Sequence, residues 1–273
     1  MTCTYPATGA GLGLRRSFLK DIAVTPPASV AFYELAPENW IKTGGALAKN
    51  LAALSEQAPL LAHGLSLSVG SCDPLDTTLL CDIKQFLRCH NIRLYSEHLS
   101  YSSFGGHVYD LLPLPFTEES VRHVAARVRR IQDYLEQPIA LENVSYYLKP
   151  PADMTECAFI NAVLEEADCL LLLDINNIYV NSHNHGYDAA AFLEQMPGER
   201  IAYYHVAGHF QDSPTLIIDT HGAAVIDPVW RLLQQAYSLH GVKPTVLERD
   251  FNIPPLTELL AEIDQIHALQ TLS

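Results

Sequence analysis

Leu170-Leu171-Leu172-Leu173-Asp174-Ile175-Asn176-Asn177 is an apolar run that stops on a carboxylate and two amides. A run that is apolar throughout, rather than at alternate positions, fits a strand of a parallel sheet covered on both faces. The same form recurs along the chain. Strands are expected at Gly11–Leu14, Val30–Leu35, Leu60–Val69, Ile92–His98, Ile139–Val144, Leu170–Tyr179, Ile201–Val206 and Thr245–Arg249. Between them lie helical patterns. Thr117 with Glu118 and Glu119 opens a stretch in which Val121, Val124, Val128, Ile131 and Leu135 form one apolar stripe. Asp153–Ala167 and Asp227–Leu239 behave alike, the second with Pro228 at a first helical position.

Eight such strands alternating with helices in 273 residues predict a closed (β/α)₈ TIM barrel, with residues 1–273 as one domain. A doubly wound open sheet is the competing arrangement. No G-x-G-x-x-G follows the first strand, however, and no Walker sequence occurs.

The chain carries 17 Lys and Arg against 31 Asp and Glu, a formal charge of −14. That counts against nucleic acid or an anionic membrane as partner, because phosphate binding draws on clustered cations. The longest apolar runs fall far short of the ~20 residues that cross a bilayer. Met1–Gly13 has neither the basic start nor the apolar stretch of a signal peptide, so the expectation is a soluble, cytoplasmic protein. The six cysteines, Cys3, Cys72, Cys81, Cys89, Cys157 and Cys169, form no C-x-x-C pair and are expected to be free and mostly buried.

In a parallel barrel the chemistry sits where the strands end. Those positions are His63 after strand three, His98 after strand four, Glu142 after strand five and Asp174 after strand six. His205 and His209 follow strand seven, Glu248 follows strand eight, and the intervening loop adds Asp219 and His221. Taken singly, each has an ordinary explanation: Asp174 as a helix cap, Glu142 as a partner of Arg249, His63 as a core imidazole. Recurrence at the same rung of consecutive units is not something capping requires. Burying one unpaired carboxylate costs several kcal/mol, and a cluster multiplies the repulsion. Lys and Arg are scarce here, Arg249 being the exception, so bound metal ions are the expected neutralisers. Oxygen and imidazole ligands without thiolate suit iron, manganese or zinc, and a carboxylate can bridge two ions.

Glu97 and Asn143, each beside a proposed ligand, alternate to the other side of their strands and are expected to support the ligands from behind. Glu38 and Asn39 end strand two as substrate contacts or supports, as do Arg249 and Asp250 after strand eight. Arg249 orients Glu248, meets an anionic substrate group, or forms a structural ion pair. His183 and His185 read as exposed loop residues, and Gly105-Gly106 as a flexible turn rather than a phosphate cradle, since no Lys follows it. His90, His107, His123, His240 and His267 are given no role.

Nine segments together resemble the DUF692 family, also labelled UPF0276. They are Gly9-Ala10-Gly11-Leu12-Gly13-Leu14-Arg15, Glu34-Leu35-Ala36-Pro37-Glu38-Asn39-Trp40, Ser96-Glu97-His98-Leu99-Ser100, Leu112-Pro113-Leu114-Pro115-Phe116-Thr117, Leu141-Glu142-Asn143, Leu173-Asp174-Ile175-Asn176-Asn177, His205-Val206-Ala207-Gly208-His209, Asp219-Thr220-His221-Gly222 and Glu248-Arg249-Asp250. The likeness runs in unbroken order from Gly9 to Leu260.

What the resemblance implies is a xylose-isomerase-like TIM barrel holding two or three non-haem iron ions. Such enzymes, including those of methanobactin and thiaglutamate biosynthesis, use dioxygen to modify cysteine residues of ribosomally made precursor peptides, with a small companion protein engaging the peptide. The implied ligands are His63, His98 and Glu142 for one ion, with Glu142 bridging to a second held by Asp174, His205 and Glu248. A third would take Asn177, Asp219 and His221, with His209 nearby. Glu142, Asp174 and Glu248 are the implied catalytic residues. The ligand types alone also permit a zinc or manganese hydrolase or sugar isomerase of the endonuclease IV or xylose isomerase type.

Overall fold

The computed structural model describes residues 7–272. Eight parallel strands close into a barrel: β1 (Ala10–Gly13), β2 (Phe32–Leu35), β3 (Leu60–His63), β4 (Tyr95–His98), β5 (Ile139–Glu142), β6 (Leu170–Asp174), β7 (Ile201–Val206) and β8 (Thr245–Leu247). Each pairs with its sequence neighbours, and β8 closes on β1. The helices are α1 (Arg16–Ile22), α2 (Gly45–Ser55), α3 (Thr77–Cys89), α4 (Glu118–Leu135), α5 (Glu156–Ala167), α6 (Ile175–His185), α7 (Ala189–Glu194), α8 (Asp227–His240) and α9 (Leu256–Leu272). This is the expected TIM barrel. No helix among the described residues is long and apolar enough to cross a membrane.

Alternation along the strands divides the core in two. Phe32, Leu61, Leu94, Ala140, Leu172, Tyr203 and Val246 pack together inside the barrel. The opposite faces meet the helices, where α4 buries the predicted stripe Val121, Val124, Val128, Ile131 and Leu135 behind its Thr117 cap. Gly11 answers to a close approach. A Cβ there would overlap the Phe32 ring that fills the barrel floor.

Four strands are two or three residues shorter than the sequence suggests, and two are shorter by five or more. β6 stops at Asp174 because that side chain accepts from Asn177 N at 2.6 Å and starts α6 at once. β3 stops at His63 because the backbone beyond it is taken up by carboxylates. Glu38 Oε1 accepts from Leu65 N at 2.8 Å and Ser66 N at 3.0 Å, and Glu97 Oε1 from Leu67 N at 3.1 Å. His183 and His185, expected in a loop, form the last turn of α6. They lie 3.1 Å from Pro214 O and 2.8 Å from Tyr146 O.

Two hairpins at the mouth were not foreseen: Tyr101–Ser103 with His107–Leu112, turning at Gly105-Gly106, and Phe210–Ser213 with Leu216–Ile218. Their strands are short: Leu216–Ile218 is apolar but only three residues long, and the other three mix polar with apolar residues. The described cysteines are free, but only Cys157 and Cys169 are buried, while Cys72, Cys81 and Cys89 are exposed. The inward stripe of α3 is Leu80, Ile83, Phe86 and Leu87, which leaves Cys81 and Cys89 on its solvent side. Cys3 falls outside the described residues.

Behind the β5 end, Tyr146 Oη donates to Glu156 Oε2 at 2.8 Å, and burial lifts the Glu156 carboxyl to about 7. A carboxyl that holds its proton more tightly when folded contributes fully below its ordinary range. That contribution declines as pH rises toward 7. Glu156→Gln keeps an acceptor for Tyr146. It is expected to flatten part of this decline and to gain on the order of 2 kcal/mol at pH 8. Urea unfolding at pH 5 and pH 8 checks it, and an identical pH dependence in both proteins contradicts it.

Candidate metal centre

One step along each strand from the barrel's apolar floor, two residues on and therefore on the same face, the inward side chain becomes polar: Glu34, His63, Ser96, Glu142, Asp174, His205 and Glu248. Strand register pairs His63 with Ser96, His98 with Glu142 and Asp174 with His205. All but Glu248, whose side chain is 12% exposed, are buried.

Three groupings result, each with one ligand atom per residue and those atoms within 4.8 Å of one another: His63, His98 and Glu142; Glu142, Asp174 and His205; Asp174, His221 and Glu248. In the first, His63 Nε2 lies 3.1 Å from His98 Nε2 and 3.0 Å from Glu142 Oε2, and His98 Nε2 lies 3.3 Å from the same oxygen. Ligand bonds of about 2.0–2.1 Å produce edges of roughly 2.9–3.4 Å in octahedral or tetrahedral geometry, which these three atoms match. In the second and third, His205 Nδ1 lies 3.8 Å from Glu142 Oε1, 3.8 Å from Asp174 Oδ2 and 3.1 Å from Glu248 Oε2. His221 Nδ1 lies 3.3 Å from Glu248 Oε2. Glu142 is common to the first two groupings and Asp174 to the last two, so two carboxylates stitch three positions into one row.

Of the expected third set Asn177, Asp219 and His221, His221 enters a grouping of histidines and acids, and Asn177 keeps its Oδ1 buried without a hydrogen-bond partner. Asn177 turns its Nδ2 to Glu142 Oε1 at 3.3 Å and Asn143 O at 3.0 Å. Asp219 stands behind His221, its Oδ1 2.9 Å from His221 Nε2, and receives further bonds from Asn176 Nδ2 at 2.8 Å and Ser145 Oγ at 2.9 Å. Its two oxygens thus accept from Asn176 and Ser145, with His221 Nε2 close by but off hydrogen-bond alignment. His209 is one residue further out, its Nδ1 2.8 Å from Asn176 Oδ1 and its ring stacked on Tyr179.

Asn143 exchanges hydrogen bonds with the Asp174 backbone at 2.9 and 3.0 Å, fixing β5 to the start of α6. Glu97 and Glu38 brace the loop after β3, as above, and Asn39 is exposed on the mouth. Arg249 turns away to Glu262, 2.7 Å, as a structural ion pair. The cations lining the mouth are Arg16 and, beside Glu248, Arg15. Arg15 bonds Asp250, donates from Nε to Arg249 O at 2.8 Å and reaches within 3.5 Å of Glu248 Oε1. Sequence reasoning also missed Glu34, Ser96 and Tyr203. The available signal was a carboxylate inside the apolar run Phe32-Tyr33-Glu34-Leu35.

The protein's own charges set the protonation of the row. Burial pushes His63 down, but the Glu142 carboxylate outweighs it and lifts the imidazole to about 9. Burial, reinforced by His63, holds His98 near 4. Glu142 opposes its own burial and is held at about 2 by His63 and His98. Burial and the Glu142 charge push Asp174 well above the carboxylate range, while His205 and His221 hold Glu248 well below it against burial. Glu142 Oε2, Asp174 Oδ2 and His205 Nδ1 are nevertheless buried without an aligned hydrogen-bond partner. Such atoms cost about 1–3 kcal/mol each when left so, and a multivalent cation satisfies all three, so the donor set fits metal. A metal must displace the protons on His63, Asp174, His205 and His221, the last two imidazoles, against their burial, lifted by the carboxylates around them. Its apparent affinity is therefore expected to rise between pH 6 and pH 9, about tenfold per pH unit for each proton released. Calorimetry in buffers of different ionisation enthalpy counts those protons; uptake without proton release contradicts the assignment.

Above the row opens a cavity of about 600 Å³, its wall carrying Trp40, Leu65, Leu111 and Phe251.

A sequence model of the RiPP precursor modification enzymes MbnB/TglH/ChrH matches residues 9–271. The chain belongs to this family. Relatives of the MbnB/TglH/ChrH chain include a UPF0276 protein of Shewanella amazonensis, 59% identical over 261 residues, with 96% of this chain and 94% of that one covered. A UPF0276 protein of Pseudomonas aeruginosa is 56% identical over 266 residues, with 97% and 94% covered. Among solved structures, a xylose isomerase domain protein from Alicyclobacillus acidocaldarius has a TM-score of 0.61 at 17% identity, covering 96% of this chain and 100% of its own. The 3-keto-D-glucoside 4-epimerase of E. coli has a TM-score of 0.60 at 13% identity, covering 97% and 99%. At those identities the likeness extends to the fold alone. Membership makes the chain an enzyme of precursor-peptide modification.

Proposed function

We propose that this enzyme is a multinuclear non-haem iron oxidoreductase that modifies cysteine residues of a ribosomally made precursor peptide with dioxygen. The observation that carries the reading is the row of three groupings joined by Glu142 and Asp174 at the floor of an open mouth, in a chain of this family. His63, His98 and Glu142 hold one ion; Glu142, Asp174 and His205 a second, with Glu248 alongside; Asp174, His221 and Glu248 a third. Iron bound there supplies the thiolate affinity and redox reach that no side chain in the cavity has.

The chain's own residues do the rest. None of the three groupings contains a cysteine, so any sulfur ligand at the centre would come from the substrate thiolate. Trp40, Leu65, Leu111 and Phe251 offer apolar surface to the segment carrying it and exclude water around it. Arg15 holds Asp250 and stands beside Glu248, fixing the β8 end of the row. A small companion protein delivers the peptide.

The test is single-turnover. Enzyme reconstituted anaerobically with ferrous iron is mixed with a cysteine-bearing peptide encoded beside its gene and with the neighbouring small protein, and dioxygen is then admitted. A mass change confined to cysteine, with oxygen consumed, is expected. An unchanged peptide, together with turnover of a phosphodiester or sugar by the zinc or manganese form, overturns the reading in favour of a hydrolase or isomerase.

A further inference from the structure

Beneath the ion row, four buried contacts cross the inside of the barrel. His63 Nδ1 lies 2.7 Å from Ser96 Oγ, and Ser96 Oγ lies 2.7 Å from Tyr203 Oη. Tyr203 Oη donates to Glu34 Oε2 at 2.6 Å, and Glu34 Oε1 lies 2.8 Å from His205 Nε2. The five residues come from β2, β3, β4 and β7, and each is at most 5% exposed.

The direction of every bond follows from the one group that can only accept. A carboxylate has no hydrogen to give, so the single Tyr203 hydroxyl hydrogen goes to Glu34 and the Tyr203 oxygen must accept from Ser96. The Ser96 hydrogen being used, Ser96 accepts from His63 Nδ1–H, so the neutral imidazole that would ligate a metal presents Nε2 to His98 and Glu142. On the other arm His205 Nε2 faces Glu34 Oε1 at 2.8 Å, off hydrogen-bond alignment, and a ring nitrogen held that close to a carboxylate oxygen carries its hydrogen. In a neutral ring Nδ1 then faces Glu142, Asp174 and Glu248. The two histidines would ligate through different ring nitrogens, and Glu34 favours both choices.

We propose that Glu34, with Tyr203 and Ser96 as its arm to His63, is a positioning residue common to two ion positions, fixing the tautomer and ring orientation of a ligand in each. This rests on the metal centre proposed above. Glu34 touches no ion; it acts through His205 directly and through His63 at three bonds' remove. Outer partners of metal-bound histidines are worth about 10–100-fold in affinity, and here the arms predict a pattern rather than a uniform loss.

The full chain, stripped of metal, is titrated with Co²⁺ by visible absorption and calorimetry as wild type, Tyr203→Phe, Ser96→Ala and Glu34→Gln, with the melting temperature of each stripped protein recorded. Tyr203→Phe and Ser96→Ala are expected to weaken one ion about 10–100-fold and to leave the other at its wild-type affinity. Glu34→Gln, whose amide must present a donor to one arm, is expected to weaken both and to alter the absorption bands of both. Wild-type affinities in Glu34→Gln, or an equal weakening of both ions in Tyr203→Phe, overturn the proposal. Should Glu34→Gln not fold, the two arm variants decide it, because selective loss supports the arm and its absence refutes it. A wild-type chain that binds Co²⁺ at two positions while every variant does likewise sinks only this inference. A wild-type chain that binds none sinks the metal centre as well.

Discussion

Glu142→Ala is expected to strip two ions from the enzyme at once. Its Oε2 lies 3.0 Å from His63 Nε2 and 3.3 Å from His98 Nε2, and its Oε1 faces His205, so the carboxylate belongs to two groupings. Alanine leaves two imidazoles in the first position and, in the second, Asp174 and His205 with only Glu248, which already belongs to the third grouping, alongside, too few to hold both ions against dialysis. Bound metal should fall by about two ions per chain relative to wild type, and peptide modification should be abolished. The fold should survive, because losing a buried carboxylate also removes its desolvation cost once no ion is present. Elemental analysis of dialysed protein decides: retention of the full complement contradicts the bridging role.

Gly208→Ala is expected to disturb the same centre from outside it. A Cβ at Gly208 would collide with the carbonyl oxygens of Ala223 and Ala224. These are backbone atoms that cannot rotate aside, so the loop bearing Asp219 and His221 must move. Overpacking of this kind costs about 1–3 kcal/mol. It should lower the melting temperature and release the ion held by Asp174, His221 and Glu248, while the ion at His63 and His98 stays. Wild-type melting together with wild-type metal content contradicts this.

The parts of the site that the sequence revealed are those where chemistry interrupts an apolar run. His63, His98, Glu142 and Asp174 each terminate a strand, and the barrel's alternation then places them on one inner rung. Glu34, Ser96 and Tyr203 escaped attention because they lie within the strands rather than at their ends, where a polar group reads as a lapse in hydrophobicity. Their purpose is visible only once β2, β4 and β7 face one another across the barrel. Arg249 misled for a related reason. It follows Glu248 in sequence, but alternation turns it outward to Glu262, and Arg15, from the far end of the chain, takes the place beside Glu248. Asp219 stands beside His221 with its oxygens accepting from Asn176 and Ser145. That is a matter of loop conformation, which no local pattern encodes.

Anaerobic purification followed by metal analysis and Mössbauer spectroscopy tests the central claim most directly. A row of three groupings stitched by Glu142 and Asp174 predicts about two or more iron atoms per chain with the quadrupole doublets of nitrogen- and oxygen-ligated non-haem iron. A well-folded, fully reconstituted protein that retains a single zinc ion, or no metal at all, contradicts it.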